Sequence, residues 1–147
     1  VKGGVIDEPD WPYYKRTGSL SGKLHGGMDF SISAETDVKS VFYGKVLFTS
    51  TGANKATDVK YGNWSGRYGT CIIIESFITG EKCQVLYAHL NSISVNKGQT
   101  VNSGTSIGKS GNTGNSAGPH LHFEARRSPY KFELKSFVDM RNMFSKY

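Results

Sequence analysis

Two β-forming runs that flank a Thr79-Gly80 pair constrain this chain more than any other stretch. Cys71-Ile72-Ile73-Ile74-Glu75 and Lys82-Cys83-Gln84-Val85-Leu86-Tyr87 have strand length and strand composition, and Thr-Gly supplies a turn between them. A two-residue turn fixes the register, with Cys83 opposite Ser76 and Cys71 opposite Ala88. The two sulfurs then lie far apart along the ladder and on opposite faces. That disfavours a disulfide and predicts two buried free thiols. Neither cysteine has the Cys-x-x-Cys spacing of a zinc or redox site.

The rest of the chain reads as β around this hairpin. Met28, Phe30 and Ile32 alternate with Asp29, Ser31 and Ser33, and Val46-Leu47-Phe48 follows Gly44. Short strands are expected on both sides of a Lys97-Gly98 turn and at Ile107, and a further strand over residues 120–126. Eighteen glycines against four prolines fit a fold with many turns. Residues 51–69 and 110–118 lack periodicity and are rich in Gly and Asn, as functional loops are. Ser136-Phe137-Val138-Asp139 has the S-x-x-D capping pattern, and Phe137, Val138, Arg141 and Phe144 continue at helical spacing, which predicts a short closing helix. The expected architecture is mainly β: a compact antiparallel sheet or sandwich with long groove-forming loops and a short C-terminal helix. Residues 1–20 form an irregular N-terminal segment, 21–126 the core, and 127–147 a C-terminal extension, all within one domain.

Composition removes several classes of function. The 147 residues include 8 Phe, 8 Tyr and 2 Trp, enough apolar material for a core, so disorder is not expected. The longest aliphatic run is Ile72-Ile73-Ile74, far below the roughly 18 residues of a membrane span. No basic stretch leading into an apolar one opens the chain, so no export signal is visible. The net charge of +6 favours an anionic partner, although the basic residues are scattered and a mixed solvated surface has the same composition. Without a basic-aromatic stripe, nucleic-acid binding is not expected.

All four histidines fall in three short segments. In His120-Leu121-His122-Phe123-Glu124 a strand places His120, His122 and Glu124 on one face and Leu121 and Phe123 on the other. Paired imidazoles on one face suit metal ligation or acid–base chemistry; a solvated sheet face carrying two histidines has the same pattern. His25-Gly26-Gly27-Met28-Asp29 can converge its His and Asp through a tight loop, since the Gly pair argues against a helix. In Tyr87-Ala88-His89-Leu90 a regular strand puts His89 on the face of Tyr87. Two His and one carboxylate would hold zinc with a fourth position open to water. Zinc lowers the pKa of bound water from about 16 to about 7. The remaining two His could then orient that water, move protons or stabilise an oxyanion. Spacing alone does not say which two His are the ligands.

These three segments together resemble the signature of the lysostaphin-type (LytM-like) zinc metallopeptidases, which are peptidoglycan endopeptidases. The likeness extends to residues 38–46, 96–104 and 107–114, and runs from about residue 24 to 124. The resemblance implies one zinc ion held by His25, Asp29 and His122, with His89 and His120 as a catalytic pair that does not bind metal. It implies a groove walled by residues 51–69 and 110–118. Tyr61, Trp64, Tyr68 and Asn112 are candidates to line it, although the aromatics suit loop packing equally well. The expected reaction is hydrolysis of a peptide bond in bacterial peptidoglycan, in a cross-bridge or stem peptide, by metal-activated water and without an acyl-enzyme. Anionic wall polymers are a further expected partner, and a monomer acting outside the cell or on a virion the expected setting. The competing reading is a wall-binding or activator protein of the same fold without catalysis. A biotinyl- or lipoyl-type carrier, suggested by the rhythm of residues 95–104, would leave the clustered histidines unexplained.

Overall fold

The computed structural model describes residues 4–5, 27–51, 68–114, 116–131, 135–138 and 140. Among them are nine strands: β1 (Gly4–Val5), β2 (Met28–Ser31), β3 (Asp37–Lys39), β4 (Gly44–Ser50), β5 (Thr70–Ile78), β6 (Glu81–Ile93), β7 (Thr100–Val101), β8 (Ser106–Ser110) and β9 (Leu121–Arg127). They form one antiparallel sheet in the order β1-β2-β9-β6-β5-β4-β7, and β8 joins β3 to β6.

The β5–β6 hairpin is the centre of this sheet. Ser76 faces Cys83, Ile74 faces Val85 and Ile72 faces Tyr87, the register that a two-residue turn dictates. Thr79 and Gly80 both have positive φ, 51° and 82°, as a type I′ turn requires and as the right-handed strand twist favours. Beyond Ile72 the register slips, and Thr70 pairs with Leu90. One residue of β5, Cys71, is therefore opposed by two of β6, Ala88 and His89, which is a β-bulge. His89 occupies the left-handed region at φ 60°.

Strand alternation sorts the side chains into two clusters. Met28, Phe30, Ile72, Ile74, Val85, Tyr87, Leu90, Leu121, Phe123 and Ala125 belong to a large apolar core on one face. Tyr68, Cys71, Ile73, Leu86 and Ala88 form a smaller cluster on the other. The central strands are thus buried on both faces, which explains the unbroken apolar run at residues 71–74. Phe123 is central to the large core, in ring contact with Phe30 and Tyr87. The Tyr87 hydroxyl reaches out of this core and accepts the amide of Val41 at 2.9 Å, tying the β3–β4 connection to the sheet. Both cysteines are free and buried, as expected, and burial pushes the thiol of Cys71 up to about 12 and that of Cys83 to about 11.

Two expectations are corrected. The closing helix is absent from the described residues. Phe137 instead makes an antiparallel bridge with Arg126. The Arg127 amide donates to Ser136 O at 2.7 Å and the Val138 amide to Ala125 O at 3.0 Å. The end of β9 would otherwise leave these backbone groups without partners at a buried edge, and satisfying them outweighs the local capping preference of Ser136. Phe137 and Met140 are fully buried. Arg141 and Phe144 lie outside the described residues. Secondly, His89 does not share the face of Tyr87. The bulge rotates it to the opposite side, while Tyr87 and Leu90 both remain in the large core.

Gly44 pairs with Ser76 on one side and Val101 on the other. A Cβ there would run into the Glu75 carbonyl oxygen and the Ser76 hydroxyl. Gly44→Ala should lower the unfolding free energy by about 1–3 kcal/mol in urea titration, because three paired strands cannot separate to make room.

Candidate active site

The polar face of β9 continues the smaller cluster. With Leu121, Phe123 and Ala125 committed to the large core, His122, Glu124 and Arg126 must point the other way. On β2, Met28 and Phe30 enter the same core, so Asp29 between them shares the face of His122. The two are direct cross-strand partners. Asp29 Oδ1 lies 2.9 Å from His122 Nδ1 and 3.6 Å from His120 Nε2. Gly27 allows this approach: a Cβ there would come within 2.9 Å of Glu124 Cβ and 3.1 Å of His122 Cε1.

A charged chain runs beneath the two ring nitrogens. His122 Nε2 lies 2.9 Å from Glu124 Oε1, and Arg126 Nε donates to Glu124 Oε2 at 2.6 Å. The Tyr68 hydroxyl lies 3.3 Å from both Glu124 Oε1 and Arg126 Nη2, and the Tyr68 ring stacks on His122 with centroids 5.5 Å apart. Glu124 and Arg126 have no solvent exposure. Burial opposes ionisation of Glu124, but the Arg126 charge and the His122 contact prevail and hold its carboxyl down at about 2. Burial also opposes a charge on His122. Its hydrogen bonds to Asp29 and Glu124, with their charges, prevail and lift it to about 9.

The other two imidazoles approach from separate segments. Through the bulge, His89 comes to 4.8 Å from His120 and 6.0 Å from His122, between ring centroids. Its Nδ1 lies 2.7 Å from the Thr113 carbonyl, so Nδ1–H donates there and Nε2 keeps the lone pair. Burial, with the neighbouring His122, pushes His89 down to about 4, so it is neutral at pH 7. His120 precedes β9 at an isolated bridge to Gly111, and its Nδ1 lies 2.8 Å from Gly118 O and 3.1 Å from Ser116 Oγ.

Four expected site residues, Asp29, His89, His120 and His122, therefore converge from β2, β6 and the start of β9. His25, Tyr61 and Trp64 lie outside the described residues. Asn112 is exposed in the loop after β8. Tyr68 is 6% exposed and forms the floor beneath His122 rather than an open groove wall. Arg126 received no role from the sequence, although it extends the period-two series of His120, His122 and Glu124 by one step. Among the described residues no three His, Cys, Asp or Glu side chains form a metal-holding group; Asp29 and His122 supply two donors. Those two fit a cation. With Nε2–H given to Glu124, Nδ1 turns its lone pair on a carboxylate oxygen, and only a shared proton or metal ion makes that contact favourable.

A family model described as peptidase family M23 matches residues 23–133. The chain belongs to this family. The match encloses every residue of the cluster. Among curated M23 relatives, the peptidoglycan DD-endopeptidase ShyA of Vibrio cholerae is 36% identical over 100 residues, 68% of this chain and 20% of that protein. Lysostaphin of Staphylococcus simulans is 30% identical over 105 residues, 71% of this chain and 18% of that protein. The aligned part thus spans only a fraction of the length of these relatives. The solved catalytic domain of lysostaphin, an antimicrobial peptidase, superposes with a TM-score of 0.67 at 28% identity, covering 91% of this chain and 86% of the domain. A zinc-containing peptidase from Vibrio cholerae superposes with a TM-score of 0.64 at 28% identity, covering 93% of this chain and 34% of the other.

Two outcomes test the electrostatics. Arg126→Met leaves the Glu124 carboxylate buried without its cation and should cost about 3–5 kcal/mol in urea unfolding. For the metal-free protein, His122 has a folded-state pKa of about 9 against 6.5 for the free side chain. Its charged form stabilises the fold fully below pH 6.5, and that contribution disappears as pH rises through 9. The urea midpoint of chelated protein should fall across this window, and His122→Gln should flatten the fall.

Proposed function

We propose that this M23 domain hydrolyses a peptide bond in bacterial peptidoglycan, in a cross-bridge or stem peptide, and that it does so with one zinc ion. The observation that carries the reading is the Asp29–His122 contact at 2.9 Å, backed by Glu124 and set beside two further imidazoles. His25, Asp29 and His122 would hold the ion. When bound, zinc supplies Lewis acidity for a carbonyl and for a water nucleophile at neutral pH.

The chain's own groups do the rest. Glu124 accepts the Nε2 proton of His122 and so directs Nδ1 toward Asp29. His89, neutral and with its lone pair on Nε2, accepts a proton from the attacking water. The same proton then goes to the amine nitrogen as the peptide bond breaks, leaving a carboxylic acid and an amine, and the acid's proton passes to the amine through solvent to give carboxylate and ammonium. His120, its ring 4.8 Å from His89, is the second member of this proton-handling pair. No side-chain nucleophile is required, so no acyl-enzyme forms. Tyr61, Trp64 and Asn112 are proposed to contact the substrate from the loops.

The relative named as a peptidoglycan DD-endopeptidase supports this substrate class, as does the +6 charge, which also suits anionic wall polymers. Action outside the cytoplasm, on a wall, follows from such a substrate. No helix among the described residues is long and apolar enough to cross a membrane.

Chelation should abolish release of muropeptides from purified sacculi, and zinc should restore it. His122→Ala should lose both metal and turnover. His120→Ala should retain bound zinc and lose at least a hundredfold in rate. Full activity in His120→Ala would remove His120 from the mechanism, whereas zinc-loaded wild-type protein that binds sacculi and releases no muropeptides would favour a wall-binding role.

A further inference from the structure

The bulged histidine depends on a residue that neither the motifs nor the chemistry above assigns. His89 is a β-branchless but non-glycine residue in the left-handed region, a conformation that persists only where its surroundings impose it. The surroundings converge on Thr113. Its hydroxyl donates to Leu90 O at 2.6 Å and accepts the Thr70 amide at 3.1 Å. Leu90 and Thr70 are the pair that closes the bulge. One hydroxyl thus clamps both strands at the open end of the β5–β6 hairpin. The carbonyl of the same residue takes the Nδ1 proton of His89 at 2.7 Å.

Gly69 makes the arrangement possible. It has φ 66°, and a Cβ on it would stand 2.6 Å from the Thr113 carbonyl carbon and 2.6 Å from the Gly114 nitrogen. The loop after β8 therefore packs backbone against backbone with the start of β5.

We infer that Thr113 is a positioning residue that selects the His89 tautomer, its hydroxyl fixing the hairpin mouth so that its carbonyl meets Nδ1–H and leaves Nε2 to the reaction. This rests on the proposed role of His89, but part of its test does not use activity. The imidazole nitrogens of zinc-loaded, 15N-labelled protein report the tautomer by NMR. Wild-type His89 should carry its proton on Nδ1, whether or not the domain proves to be a hydrolase.

Thr113→Val keeps the shape and removes the hydroxyl; Thr113→Ser keeps the hydroxyl. The valine variant should show a mixture of His89 tautomers and a kcat on cross-linked muropeptides at least tenfold lower, with KM and zinc content unchanged. The serine variant should restore both the single tautomer and the rate. A wild-type His89 protonated on Nε2 overturns the inference even if the valine variant does not fold. A valine variant with wild-type tautomer signals overturns it too. Absence of hydrolysis by wild-type protein with a clean Nδ1–H signal would sink the catalytic reading and leave the tautomer assignment standing.

Discussion

Everything at the site depends on one cross-strand pairing, that of Asp29 with His122. Side chains in a sheet alternate, so a slip of one residue between β2 and β9 would send the carboxylate into the core and the imidazole away from it. The slip is prevented by apolar neighbours. Met28 and Phe30 on β2, with Leu121 and Phe123 on β9, are all fully buried in the large core. At about 1.5–3 kcal/mol for each such side chain, the core fixes the register far more strongly than the polar contact does. The site is thus held by hydrophobic packing on the far side of the same strands.

The polar face has to be reconciled with burial. Glu124 and Arg126 are enclosed, and each ion would be costly alone. They are tolerated because every charged end has a partner: Arg126 binds Glu124 and Tyr130 O, Glu124 binds His122, and Tyr68 closes the set. The chain acts as a support whose last member is His122 Nδ1, held 2.9 Å from Asp29 Oδ1. His89 and His120 are held differently, by main-chain carbonyls of Thr113 and Gly118. Carboxylate support suits the imidazole proposed to face a cation; neutral support suits the two imidazoles proposed to exchange a proton.

Much of this was legible in the sequence because β periodicity is local. The alternation at residues 120–124 announced a strand with His on one face and Leu and Phe on the other, and the Thr79-Gly80 turn announced the hairpin register as far as Ile72. The failures share a cause. The capping pattern at Ser136 pointed to a helix, but the unpaired edge of β9 took that segment as a bridge. Period-two reasoning placed His89 beside Tyr87, but a bulge inserts a residue and reverses the faces beyond it. Neither a distant strand edge nor a register slip leaves a mark in the residues nearby.

The amino-acid sequence by itself determined the strand faces, the free cysteines and the identity of the side chains available for chemistry, because these follow from nearest-neighbour spacing and from composition. The tertiary structure alone decided which nitrogens of His89, His120 and His122 are engaged, that Glu124, Arg126 and Tyr68 lie under His122, and that Thr113 reaches His89 from 24 residues away. Those contacts join segments remote in the chain, and their distances are set by how the sheet packs and twists, which no local pattern encodes.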